Sequence, residues 1–106
     1  MRVLRYRKDN GSIPFSNWLA GMRDNVAQAS IRFRLRQLEK GNFGDVKSVG
    51  QGVVELRIHV GSGYRVYCGR HGEDVVILLC GGGKQTQISD IKIAQSYWTD
   101  WKRRQK

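Results

Sequence analysis

Acid is scarce in this sequence and proline nearly absent: nine Asp and Glu stand against nineteen Lys and Arg, with one Pro and two Cys in 106 residues. The acid shortage leaves a formal charge of +10 and draws the chain toward polyanions, with nucleic acid or the ribosome as the leading partner class. Cys68 and Cys80 are too few for a disulfide framework and lack C-x-x-C spacing, so both read as small buried hydrophobes. Only two histidines occur, His59 and His71, and no paired carboxylates, metal-ligand cluster or G-x-S-x-G elbow accompanies them. Gly81-Gly82-Gly83-Lys84 lacks P-loop spacing and reads as a flexible turn that lets Lys84 approach a phosphate. No cofactor or metal is expected. No apolar run approaches the roughly 20 residues needed to cross a bilayer, and the opening MRVLRYRKDN alternates charge with hydrophobe, so a cytoplasmic protein without membrane partners is expected.

What is present reads as one domain over residues 1–106, because no linker, repeat or low-complexity tract divides it. Residues 2–7 suit an edge strand guarded by Arg and Lys. Pro14 opens a short helix with the stripe Phe15, Trp18, Leu19 and Met22. Asp24 caps a second helix that runs to about Lys40, with Ala27, Ile31, Leu35 and Leu38 inward and Arg32, Arg34, Arg36 and Lys40 spread over its outer face. After the turn-rich Gly41–Asp45, the period changes to two. Val53–Val60, Tyr64–Gly69 and Asp74–Cys80 have the spacing of an antiparallel meander, and Val75–Leu79, apolar on both faces, suits a central strand. Thr86 suits the cap of a last helix with the seam Ile91, Ala94, Trp98 and Trp101, and Lys102–Lys106 reads as a basic tail. The order β-α-α-β-β-β-α predicts an α+β domain with a twisted antiparallel sheet and helices on one face.

Alternation sorts the strand side chains into two sets. Val54, Leu56, Ile58 and Val60 share the core face, leaving Glu55, Arg57 and His59 opposite. In the next strand Tyr64, Val66 and Cys68 point inward, and Arg65 and Tyr67 outward. Lys84 and Gln87 follow the third strand and lie at the rim of that outer face. Arg57, His59, Arg65, Tyr67 and Lys84 would then form a concave cationic surface, with Tyr67 as a stacking platform and Glu55 as the sole acidic neighbour. Arg32 and Arg36, on the outer face of the second helix, are further candidates for RNA contact.

The segments Phe15-x-x-Trp18-Leu19, Gly41-Asn42-Phe43-Gly44-Asp45, Gly52-Val53-x-Glu55-Leu56-Arg57-Ile58, Gly63-Tyr64-Arg65-Val66-Tyr67 and Leu78-Leu79-x-Gly81-Gly82-x-Lys84-x-x-Gln87-x-x-Asp90-Ile91 together resemble the RelE/ParE toxin superfamily. The likeness is strongest to its HigB-like branch of addiction-module killer proteins and runs from about Phe15 to Trp98. It implies a microbial-ribonuclease-like fold and the toxin role of a type II toxin–antitoxin pair. In the RelE and HigB branches it implies cleavage of mRNA in the ribosomal A site. Carried over by position, Arg57, Arg65 and Lys84 take the places of the basic residues that bind and cleave RNA. RelE has a Tyr in its last helical segment where this chain offers Gln87. The resemblance also implies an antitoxin partner, commonly with a helix-turn-helix domain.

The chemistry this predicts is metal-independent attack of a ribose 2′-OH on the adjacent phosphorus, with Arg57, Arg65 and Lys84 stabilising the developing charge. His59 and Lys84 are the competing proton acceptors. Two other readings stand beside it: a ParE-like inhibitor of DNA gyrase on the same fold, and a non-catalytic module that holds RNA or DNA through charge alone.

Overall fold

In a computed structural model, which describes residues 1–105, the chain runs through β1 (Arg2–Arg5), α1 (Pro14–Ala20), α2 (Asn25–Glu39), β2 (Val46–Ser48), β3 (Val53–Ile58), β4 (Tyr64–His71), β5 (Val75–Gly83), a 3₁₀ turn (Lys84–Thr86) and α3 (Gln87–Arg104). The α+β class is as the sequence implies. The five strands lie in the order β1-β5-β4-β3-β2, antiparallel except where β1 pairs parallel with β5. The sheet is therefore mixed. β2, an exposed edge strand with one apolar residue in three, carries no alternation that the sequence could announce.

Helices cover both faces of the sheet, not one. Phe15 and Leu19 of α1 and Ile31, Leu35 and Leu38 of α2 pack on Leu56, Ile58, Val66, Cys68, Val76 and Leu78. On the other face, Ala94 and Trp98 of α3 pack with Tyr6 on Val53, Tyr67, Ile77, Leu79 and Cys80. The reason is legible in β5, whose residues Val76 to Leu79 are all buried: a strand apolar on both sides needs a layer on each. A β-bulge adds to this. Tyr67 pairs with Cys80 and Cys68 with Leu78, so Leu79 is the extra residue, and Leu79 and Cys80 both turn toward α3.

Asp24 caps α2 as expected, its carboxylate accepting from the Ala27 N–H at 3.0 Å. Thr86 does not cap α3 with its side chain; its hydroxyl donates to Asp90 instead. Gly81, Gly82 and Gly83 are the last residues of β5 and not a flexible turn. A Cβ on Gly81 would enter the Trp18 indole, and one on Gly82 the Asp90 carboxylate. Gly69 is bare for the same reason, since Trp98 lies against it. Two helices thus approach the sheet at points where no side chain intervenes. The expected basic tail is helical to Arg104, and Lys106 lies outside the described residues. Among the described residues no helix is long and apolar enough to cross a membrane.

Candidate active site

Arg57 and Arg65 face each other across the β3–β4 ladder, and Arg65 in turn pairs with Gly82 of β5. Like charges directly opposed across a ladder destabilise it unless something compensates. Both stand on the α3 side of the sheet, just beyond the point where the helix begins. There the face opens into a depression of about 230 Å³ lined by Arg57, His59, Tyr64, Arg65 and Lys84. Gly82, opposite Arg65, contributes no side chain, and the Asp90 carboxylate takes the space where one would stand.

Compensation comes from Glu55, buried with 1 % exposure. Its carboxylate lies 3.9 Å from Arg57 Nε and 3.6 Å from Arg65 Nε. Neither Nε is hydrogen bonded, although both are buried. The hydrogen bonds to Glu55 come from neutral groups: Tyr67 Oη donates at 3.1 Å and Gln87 Nε2 at 3.0 Å. Burial first, and then the charge of Glu55, push the Tyr67 hydroxyl upward in pKa, so it remains a proton donor. Glu55 therefore neutralises two guanidiniums from beneath while leaving their outer donors free.

A second carboxylate stands at the outer edge. Asp45 Oδ2 lies 2.5 Å from His59 Nε2, and Oδ1 3.7 Å from Arg57 Nε. The His59 hydrogen bond outweighs an opposing desolvation and, with the charge of Arg57 adding to it, holds the carboxyl below the usual carboxylate range. The backbone fixes this corner: Arg57 N donates to Asp45 O at 2.9 Å, and Arg34 donates to the carbonyls of Arg57 (2.5 Å), Phe43 (2.8 Å) and Asp45 (3.3 Å). With Nε2 directed at Asp45, Nδ1 is the ring nitrogen of His59 left without a hydrogen-bond partner among the described residues. Lys84 is exposed and has no ion-pair partner among the described residues.

Arg57, His59, Arg65 and Lys84, chosen by alternation and spacing, thus line one depression. Tyr67 does not: fully buried under α3, it cannot stack on a base, because the face expected to be open is roofed there by the helix. Glu55, also buried, meets no RNA and acts on the arginines instead. Gln87, half-buried at the start of α3, is directed at Glu55. Arg32 and Arg36 are exposed on α2, which packs on the opposite face of the sheet, and are not brought to the depression. Arg34, expected on the solvated face of α2, is turned against backbone carbonyls. Asp45 escaped the sequence reading because it lies in a loop; its register opposite Arg57 depends on β2. Cys68 and Cys80 are buried with thiol pKa values pushed up by burial, Cys80 to about 12, so both are packing residues.

Comparison with known proteins gives two findings. Residues 17–99 match the family described as "Phage derived protein Gp49-like". An uncharacterized protein of Haemophilus influenzae is 49% identical over 84 residues, covering 79% of this chain and 85% of that protein.

Proposed function

This chain belongs to the Gp49-like phage-derived family, and from that premise we propose that it is the toxin of a toxin–antitoxin pair and cleaves mRNA on the ribosome. The family is related to toxin–antitoxin systems, and the sequence resembles the HigB-like branch of the RelE/ParE superfamily. One observation carries the chemical part: Arg57, His59, Arg65 and Lys84 meet around a single open depression, and the carboxylate beneath the two arginines takes its hydrogen bonds from Tyr67 and Gln87 and none from either guanidinium.

In this reading the scissile phosphate sits over Arg57 and Arg65. His59 Nδ1 takes the proton of the adjacent ribose 2′-OH, whose oxygen forms a bond to phosphorus. The bond from phosphorus to the 5′-oxygen breaks and that oxygen takes a proton from the Lys84 ammonium, leaving a 2′,3′-cyclic phosphate and a 5′-hydroxyl, after which exchange through water returns the proton held by His59 to Lys84. Arg57 and Arg65 stabilise the extra charge on the phosphoryl oxygens, and Lys84 the charge on the departing oxygen. Asp45 keeps the His59 ring in place and stabilises the imidazolium that forms. The step is balanced without a metal because three cationic side chains supply the charge. The partner expected is an antitoxin with acidic surface, commonly joined to a helix-turn-helix domain, and the working substrate is ribosome-bound mRNA.

The test is a time course of a defined mRNA on programmed ribosomes and, in parallel, free in solution, read at the 3′ end. Cleavage at an A-site codon only with ribosomes present supports the reading. Absence of cleavage in both tubes overturns it, and inhibition of DNA gyrase supercoiling would then select the gyrase reading over simple binding.

A further inference from the structure

Beside the cationic depression lies a second hollow, of about 420 Å³, walled by Ser62 of the β3–β4 turn and by Gly83, Lys84, Gln85 and Thr86 at the end of β5. Its size is within the range that takes a small ligand. Among the described residues Lys84 alone lines both hollows, and it is the only charged residue of the second. What remains there is neutral and polar. The Gln85 amide and the Ser62 hydroxyl are exposed and make no hydrogen bond to the described residues. Gln87, two residues on, is by contrast committed to Glu55. The Thr86 hydroxyl gives its proton to Asp90 and keeps its lone pairs for an incoming donor.

Gly83 adds an observation that packing does not explain. A Cβ on Gly81 or Gly82 would enter Trp18 or Asp90, whereas one on Gly83 would meet only the Gly63 carbonyl oxygen, at 3.8 Å. Its φ of −103° is open to any residue. Glycine within a strand costs stability, so a bare position with neither crowding nor a left-handed turn behind it marks a close approach to the backbone from outside the chain. A nucleotide divides as these two hollows do, into an anionic phosphate and a neutral base with donors and acceptors along its edge. We infer that the second hollow holds an unpaired nucleobase of single-stranded RNA, its face on the bare Gly83 peptide and its edge on the Gln85 amide. Which base it is rests on the reading proposed above: Lys84 serves the departing 5′-oxygen and borders the hollow, so the base belongs to the nucleotide that leaves with that oxygen. Gln85 then determines specificity and takes no part in the chemistry.

The probe is a 2′-O-methyl dinucleotide, which has one phosphodiester and no 2′-OH to attack it, and its control is the same molecule without the base on the 3′ side. The complete dinucleotide should shift the backbone amides of Ser62, Gly83 and Gln85 together with those of Arg57 and Arg65, and the abasic control only the last two. Gly83→Ala should melt no lower than wild type, because its Cβ meets nothing close, yet lose the shifts at Ser62 and Gln85 at a probe concentration that produces them in wild type. On programmed ribosomes carrying mRNAs that differ only in the base after the cut, Gln85→Arg should move the preference toward guanine by at least about fivefold, since arginine pairs bidentately with that base. Equal shifts at Ser62 and Gln85 from the abasic control, or none there up to about 10 mM of the complete dinucleotide, overturns the base site. So does a Gly83→Ala protein that melts lower than wild type, which would give the glycine a packing role. An unchanged base preference in Gln85→Arg overturns the assignment of Gln85. If the dinucleotide shifts Ser62, Gly83 and Gln85 as expected but wild type cleaves no RNA, the nuclease reading fails while the base site stands.

Discussion

Two clusters of tyrosine, carboxylate and arginine lie on the same sheet face near opposite ends of α3, and they use the same groups to opposite effect. At the C-terminal end, Tyr6 Oη donates to Asp100 at 2.7 Å, Arg103 at 2.5 Å, and Arg104 through both Nε and a terminal nitrogen. Arg104 also covers the Tyr6 ring and donates to the Arg7 carbonyl. Its charge is answered on every side. At the N-terminal end, Tyr67 and Gln87 occupy Glu55, and the arginines beside it make no hydrogen bond to it. A carboxylate satisfied by neutral donors still lowers the potential around a guanidinium but does not consume its donors. The first cluster fastens a helix to a strand; the second holds charge in readiness for an anion.

The sharpest way to break this contrast is to remove one arginine from each cluster. Arg65→Ala should reduce mRNA cleavage on ribosomes by about 10²–10³-fold, the loss typical of one group that stabilises transition-state charge. Arg104→Ala should cleave at the wild-type rate. Equal cleavage by both variants would show that the two clusters do not differ in function.

Glu55→Gln tests the same contrast through stability. The variant keeps a group that Tyr67 can reach but leaves Arg57 and Arg65 opposed with no charge beneath them, at a cost of about 3 kcal/mol in a urea titration. Added sulfate should recover more of that stability in the variant than in the wild type, because the anion substitutes for the missing charge. A sulfate response no larger than wild type would mean that Glu55 does not balance the pair.

Gly69→Ala probes what the clusters share, the seat of α3. Its Cβ would enter the Trp98 indole in the middle of the helix, so a loss of about 1–3 kcal/mol is expected. Gly72→Ala, whose Cβ meets nothing but whose φ of +66° strains a side chain, should cost less. The urea midpoints of the two variants decide the order.

Much of this was legible in the sequence because it followed from periodicity. The helical stripes of Phe15 and Leu19, of Ile31 and Leu35, and of Ala94 and Trp98 are where their spacing puts them, and alternation alone set Arg57 and Arg65 on one face. Alternation says which residues share a face but not what covers it, so it presents Tyr67 and Glu55 as exposed although α3 lies above them. It also fails at a bulge, and the extra residue at Leu79 decides which side of the sheet Gly81 and Gly82 present to Trp18 and Asp90. Asp45 and β2 left no trace because three exposed edge residues carry no pattern. The glycines of Gly81-Gly82-Gly83 looked like a turn for want of side chains, when at Gly81 and Gly82 that want is what two approaching helices require.

The smallest effect expected comes from the closed cluster, and its sign distinguishes a fastening from a site. Hydrogen bonds from Arg104 and then Tyr6 hold the Asp100 carboxyl far below the ordinary carboxylate range. A carboxyl whose folded pKa lies below its unfolded value of about 3.9 contributes stability that is complete above that pH and is lost as pH falls toward the folded value. Wild type should therefore melt higher than Asp100→Asn at pH 6, and the gap should narrow only below about pH 4. The gap itself is small because Asp100 bonds to arginines that are largely solvent-screened. Cleavage measured at pH 6 should be the same in both proteins. A variant that melts like wild type at pH 6 yet cleaves more slowly would move the functional boundary to the far end of α3 and dissolve the distinction between the two clusters.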